Sequence, residues 1–437
     1  MSAPPASSSS PASRASAVPP TVPSPEPQED LSMAELVVLG QKYLLGNYRQ
    51  APVVFVRGEG SRLYDKEGRE YIDCAAGVAV CALGHAHPRL VRTIAEQAAR
   101  LMHVSNYFFN EENVLLAREL CEKTGYDKAF FCNSGAEANE AMLKLARRHY
   151  SAAGKPEKFR FIAFDNAFHG RTLATVNIGG TPAYKEGFGP KLEGVTHVPY
   201  GDLEAVRRAM GPDVCGIFVE TVQGEGGVTP APPGFLEGLR ALCDEHDALL
   251  LLDEVQTGIG RTGRMLGMLH TSVRGDVVSL AKGLGGGFPI GAILVPERLA
   301  GALPSGTHGS TFGGNPLASA AARTVLSVLD DEHLVEEAER KGALLSSKLQ
   351  AVAAKHPDLC ELERGQGLLR ALVLKPGVDA RAVLGRARER GLLLTIAGGR
   401  GLRFTPPLVI TDAEIDLAVE RLDETLRSVR LDLVSGG

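Results

Sequence analysis

The chain has 437 residues, 44% of them hydrophobic and 23% charged, with a formal net charge of -5; this supports two domains or one large domain with an appendage. The acidic balance without a basic cluster argues against a nucleic-acid surface, and apolar runs far shorter than a bilayer span argue against a membrane helix. Seven scattered cysteines (Cys74, Cys81, Cys121, Cys132, Cys215, Cys243, Cys360) with no CxxC pair fit a reduced, cytoplasmic compartment, and no metal site is expected because no His/Cys cluster has ligand spacing.

Residues 1–30 are rich in Pro, Ser and Ala and read as a disordered tail without the apolar stretch of a secretory signal. The segment 31–77 predicts short strands at 53–56, 62–64 and 70–72, separated by GEG and KEG turns, that join a smaller domain. Over 78–325, helices alternate with apolar runs at 128–132, 159–164, 195–200, 215–219, 249–252, 277–280 and 292–295. That alternation predicts an α/β large domain, a mainly parallel sheet covered by helices. Residues 326–437 carry long amphipathic helices around strands at 368–374, 392–395 and 402–404, a smaller α+β domain.

Four stretches of the large domain hold residues suited to chemistry. In CNSGAEANEAMLKLAR (132–147), Ser134 and Glu137 have capping-box spacing, so a helix starts near Gly135, and its free N–H groups at Gly135 and Ala136 suit a phosphate. FHGRT (168–172) offers Phe168 as a flat face for an aromatic ligand and Arg171 as a fork for a carboxylate. LLLLDEVQTGIGRTG (249–263) reads as a buried strand with Asp253 at its C-terminal end, where open α/β sheets bind ligands. There Asp253 can hold a pyridinium nitrogen, Val255 can pack on the ring and Gln256 can reach a phenolic oxygen. Finally SLAKGLGGGFPIGA (279–292) places Lys282 between a strand and a glycine-rich turn, an amine at the mouth of the sheet. Taken singly each signal is weak, since every helix needs an N-cap and most lysines and loop arginines are simply solvated. Together, in this order at one edge of one sheet, they match the needs of pyridoxal phosphate.

The chain from about Leu36 to Thr411 resembles the class III aminotransferases of the pyridoxal-phosphate fold type I group, and among them the acetylornithine aminotransferases. The matching stretches are GHAHP (84–88), NSGAEANEA (133–141), FHGRT, QGEGG (223–227), DEVQTGIGRTG, AKGLGGGFPIGA (281–292), HGSTFGGNP (308–316) and RFTPPLVIT (403–411). The resemblance implies covalent attachment of the cofactor to Lys282, Asp253 on the pyridine nitrogen, and Ser134, Gly135 and Ala136 around the phosphate. It further implies Phe168 on the ring, Gln256 at the phenolic oxygen, and Thr311 reaching the neighbouring subunit's cofactor in a homodimer. Similar enzymes read EPVQGEGG where this chain has Glu220, Thr221 and Val222, and Arg370 stands where they carry a small or apolar residue.

The reaction implied is ping-pong transamination from N-acetylornithine, or a related ω-amino donor, to 2-oxoglutarate, giving glutamate. Arg171 and Arg403 are the candidate forks for a keto acid with two carboxylates, Ser310 is a further substrate contact, and Glu220 is expected to mask Arg403 while the amine donor is bound. The alternatives are ornithine, succinylornithine or 4-aminobutyrate aminotransferase, and an aminomutase on the same scaffold. A nucleotide-binding protein is disfavoured, because GLGGG matches neither GxGxxG nor GxxxxGK[ST].

Overall fold

The computed structural model describes residues 30–435, so the tail expected over 1–30 lies, Asp30 apart, outside the described residues. The N-terminal unit, up to Val54, contains the helix Met33–Tyr43. Its start is a capping box: Ser32 Oγ accepts from Glu35 N at 3.2 Å, and Glu35 Oε2 accepts from Ser32 N at 2.8 Å, satisfying two orphan amides at once.

The second unit, from Phe55 onward, opens with three antiparallel strands, β1 (Phe55–Glu59), β2 (Arg62–Asp65) and β3 (Glu70–Asp73). Next come β4 (Lys128–Cys132), β5 (Arg160–Phe164), β6 (Val195–Val198), β7 (Val214–Glu220), a short ribbon of β8 (Val222–Gln223) and β9 (Thr229–Pro230), then β10 (Leu249–Asp253), β11 (Val277–Leu280) and β12 (Gly291–Val295). Leaving out the ribbon, these form one seven-stranded sheet in the order β4-β12-β11-β10-β7-β5-β6. β6, β5, β7, β10 and β11 run parallel, whereas β12 is antiparallel to both β11 and β4. The mainly parallel sheet predicted from the alternation is therefore present, with one reversed strand. The connection 281–290 holds a glycine turn rather than a crossover helix, so β12 has to return antiparallel.

Every residue of β7, β10, β11 and β12 is buried, as their continuous apolar runs require in a sheet covered on both faces. The helix Gly135–Ala152 buries Ala138, Ala141, Met142, Leu145 and Ala146 along one stripe, the periodicity read from the sequence.

The C-terminal part supplies β13 (Cys360–Gln366), β14 (Leu369–Leu374), β15 (Leu392–Leu393), β16 (Thr395–Ala397) and β17 (Gly401–Phe404). Four of them make an antiparallel sheet in the order β13-β14-β17-β16, and β15 leaves it to pair in parallel with β3, Leu392 opposite Ile72. One apolar core runs through the elements of both ends: Ile72, Leu250, Leu252, Leu372 and Leu402 belong to it. Arg370 on β14 has a structural explanation. Its guanidinium donates to Glu363 Oε1 on β13 and to Ser346 Oγ on the helix Leu334–Lys355, both at 2.6 Å, tying that helix to the sheet. Thr221 is buried and its hydroxyl has no partner among the described residues.

Candidate active site

The C-terminal ends of β7, β10 and β11 open into a cleft of about 420 Å³. Glu220 closes β7, Asp253 closes β10, and Lys282 follows β11 by two residues. In the parallel register Asp253 stands opposite Glu220, so the sheet itself sets two buried carboxylates side by side. Ser134, Gly135, Ala136, Phe168, Val255, Gln256 and Arg171 line the same cleft. The sequence had placed these at one sheet edge, and the fold brings them together.

Asp253 is 4% exposed and held by four donors. Its Oδ2 accepts from His169 Nδ1 at 2.7 Å and from Asn139 Nδ2 at 2.8 Å, and Oδ1 accepts from Val255 N at 3.0 Å and from Ser279 Oγ at 3.4 Å. Donation from Nδ1 leaves His169 Nε2 without a hydrogen-bond partner among the described residues, its ring set edge-on to Phe218. His169 and Asn139 were not singled out in the sequence. Both lie in the motifs quoted, His169 beside Phe168 and Asn139 one turn beyond Gly135, but only the fold shows that they converge on Asp253.

Glu220 is pushed up to about 7, mainly by burial and further by the neighbouring Asp253, with His169 acting in the opposite sense. Its Oε1 accepts from Phe168 N at 3.0 Å and its Oε2 from Gly224 N at 3.2 Å. In this structure Glu220 does not pair with Arg403. Arg403, 2% exposed, pairs instead with Glu225 Oε1 at 2.5 Å, donates to Thr395 Oγ1 at 2.9 Å, and reaches Gln256 Oε1 only at 3.5 Å. Glu225 belongs to the QGEGG stretch, and its partner stands 178 positions further on, so chain spacing gave no sign of the pair.

Lys282 sits in the left-handed region (φ 45°) immediately after β11, a conformation that bulky residues adopt only where their surroundings impose it. Its amine has no hydrogen-bond partner among the described residues. Burial pushes it below the usual lysine value, with Arg403 adding to the effect and Glu225, Asp253 and Glu220 opposing it. More of the amine is therefore neutral and nucleophilic near neutral pH.

The residues present fit pyridoxal phosphate on three counts. The helix Gly135–Ala152 is capped by Ser134 Oγ, which accepts from Glu137 N at 3.2 Å, while Glu137 Oε2 accepts from Asn133 N at 2.6 Å; the amides of Gly135 and Ala136 take no acceptor among the described residues and remain for a phosphate. A Cβ on Gly135 would lie 2.6 Å from Val255 Cγ1, so glycine there lets Val255 come forward over the ring position. Finally, Gln256 Nε2 is buried without a partner among the described residues, a donor suited to a phenolic oxygen.

Arg171 is exposed and stacks on Tyr184, its guanidinium carbon 3.5 Å from the ring centroid, with no carboxylate partner among the described residues. The fork is thus oriented yet unneutralised, as a carboxylate substrate needs. Ser310 and Thr311 do not line the cleft. Ser310 Oγ accepts from Asn133 Nδ2 at 3.2 Å and from Gly313 N at 3.0 Å, and Thr311 is exposed.

A doubly covered α/β sheet with a lysine, a carboxylate and a phosphate cradle at its carboxyl edge defines a fold type I pyridoxal-phosphate enzyme. Residues 44–426 match the family model of the class-III aminotransferases, and the chain belongs to that family. It is 50% identical over 395 residues to an acetylornithine aminotransferase of Myxococcus xanthus, covering 90% of this chain and 98% of that protein. It is 49% identical over 387 residues to a succinylornithine transaminase/acetylornithine aminotransferase of Pseudomonas aeruginosa, covering 88% and 95%. Among solved structures, an ornithine aminotransferase of Toxoplasma gondii with PLP at partial occupancy in its active site superposes with a TM-score of 0.89 at 37% identity, covering 92% of this chain and 95% of that one. The protein is an aminotransferase, and pyridoxal phosphate is the cofactor of its family.

Proposed function

We propose that the enzyme transfers the terminal amino group of N-acetylornithine to 2-oxoglutarate, giving glutamate, as a step of arginine biosynthesis. The observation that carries this reading is the pairing of buried Arg403 with Glu225, which lines the same cleft as the unpaired Arg171. One fork is constantly open to an α-carboxylate, and the second is neutralised when the bound molecule has no further carboxylate to offer. The relatives named for acetylornithine and succinylornithine support the same donor class.

Bound pyridoxal phosphate supplies an aldehyde that condenses with amines and a ring that accepts an electron pair from the adjacent carbon. Lys282 is the residue proposed to carry it covalently in the resting enzyme. With the cofactor bound, Lys282 Nζ would be the base that takes the proton from the substrate carbon bearing the amine, and the acid that returns it. Asp253, fixed by His169 and Asn139, keeps the ring nitrogen protonated. Ser134, Gly135 and Ala136 would hold the phosphate, Phe168 and Val255 would enclose the ring, and Gln256 would donate to the phenolic oxygen.

The active unit is proposed to be a homodimer in which Thr311 completes the partner's phosphate site, because Thr311 is exposed and lies outside its own cleft. Asn106 Nδ2 binds Ser310 O and Gly313 O, at 3.0 and 2.9 Å, so the Thr311 loop adjoins an aromatic run, Tyr107, Phe108 and Phe109, that faces outward. The seven cysteines are free thiols, which supports a cytoplasmic location.

A donor panel tests the assignment: N-acetylornithine, N-succinylornithine, ornithine and 4-aminobutyrate, each with 2-oxoglutarate, reading glutamate. A clear preference for N-acetylornithine is expected. A preference for ornithine would overturn the donor, and glutamate from none of them would favour an aminomutase.

A further inference from the structure

Glu220 lies in the cleft but neither of its carboxylate oxygens is directed to an arginine or to the lysine. Its place is set by the sheet: it ends β7, paired in register with Asp253, and Tyr200 Oη fixes its backbone by donating to Glu220 O at 2.9 Å and to Thr221 O at 3.2 Å. From this rigid base the side chain accepts from Phe168 N on one side and from Gly224 N on the other.

Those two amides belong to two loops that line the cleft. The first holds Phe168, His169 and Arg171. The second passes through Gly224, where a Cβ would lie 1.7 Å from Gln256 Oε1, to Glu225, the partner of Arg403. A second tie joins the same loops, Gln223 Nε2 donating to Asp165 O at 2.9 Å.

We propose that Glu220 is a positioning residue, a staple between these loops, whose carboxylate fixes the backbone of Phe168 over the cofactor ring and the backbone from which Glu225 turns away from Arg403. It acts in both halves of the reaction, since both need the ring held and the Glu225 pivot fixed. The chemistry of the side chain is specific, because two N–H donors need an acceptor at each oxygen. An amide in its place would present Nε2–H to one of them, losing one bond and setting donor against donor. The proposal rests on the cleft holding pyridoxal phosphate, and its test is read on the cofactor as well as on turnover.

Glu220→Gln, loaded with pyridoxal phosphate, should release the cofactor on dilution roughly tenfold faster than the parent, the scale of one hydrogen bond to a charged acceptor. The cofactor's visible circular dichroism should weaken, and the amine-donor and glutamate half-reactions, each followed in single turnover, should slow by the same factor, while the apoprotein, losing the same buried hydrogen bond, melts somewhat below the parent. Unchanged release overturns the staple, and so does slowing confined to the amine-donor half-reaction, which would restore Glu220 as a gate. Glu220→Asp keeps both acceptors on a shorter stem and should fall between the two. If the Gln variant does not fold, the Asp variant takes its place, and parental release from it overturns the proposal. A parent that takes up no pyridoxal phosphate would overturn the cofactor reading as well, whereas a different preferred donor leaves these cofactor readouts untouched.

Discussion

On the proposed reading, Glu225 decides how one cleft serves two kinds of substrate. Arg403 is almost wholly buried and its Nε is engaged by Thr395, so when Glu225 swings away the cation needs an incoming carboxylate or stands unpaired, a state costing about 1.5–3 kcal/mol for a hydrogen bond to a charged group. Glu225→Ala should therefore slow the amine-donor half-reaction by roughly 10- to 100-fold and leave the glutamate half-reaction equal or faster, since no pair then has to be broken. Single-turnover absorbance changes with N-acetylornithine and with glutamate measure the two separately, and equal slowing would refute the switch. Residue types at the sheet edge were legible because each is dictated by the group it would hold: lysine for an aldehyde, aspartate for a ring nitrogen, small residues for a phosphate. The partner of Arg403 was not. Glu220, at the end of β7, and Glu225, in the turn after β8, are acids five residues apart, and which of them turns toward the arginine depends on backbone geometry that neither spacing nor composition encodes.

At the scale of elements, apolar runs located the central strands because burial on both faces leaves only one reading for LLLLD or VVSL. β13 escaped that logic: Cys360–Gln366 reads CELERGQ, with Glu361, Leu362, Glu363 and Arg364 partly or largely accessible, and an edge strand with charges on it has the composition of a loop. Glycine positions separate in the same way. Gly135 is close to Val255, and Ala there would drive a Cβ to 2.6 Å from a stiff β-branched side chain. Gly385, inside the helix Ala380–Glu389, has open space around its Cβ position. Gly135→Ala is expected to weaken cofactor affinity at least about tenfold by displacing Val255 from the ring face. Gly385→Ala should instead raise stability by about 0.5–1 kcal/mol through helix propensity, with affinity unchanged. Fluorescence titration of the apoprotein with pyridoxal phosphate and urea denaturation distinguish the two, and the reverse assignment of effects would contradict the geometry.

For the whole molecule, the question is what covers the aromatic run beside the Thr311 loop. Tyr107 is 92% exposed, Phe109 95% and Phe312 59%, and the loops that bear them are held together by Asn106 and by the contact of His103 with Phe312, ring centroids 5.3 Å apart. Large apolar side chains gathered at one place on a surface mark an interface more often than a free face. In the proposed homodimer a second copy is the occupant, because Thr311 stands beside this patch, outside its own cleft, in a motif whose resemblance assigns it to a neighbour's phosphate. Association and cofactor binding are then linked: whatever binds the dimer in preference to the monomer shifts the equilibrium by mass action. Phe109→Glu places a charge in the centre of the patch and should yield a monomer by sedimentation, with pyridoxal phosphate held more weakly than in the parent. For the parent, dilution should release subunits and cofactor together, and added cofactor should oppose both. Thr311→Ala should weaken cofactor binding with the dimer intact. A parent that sediments as a monomer while retaining full cofactor affinity would show that each cleft is complete without a partner.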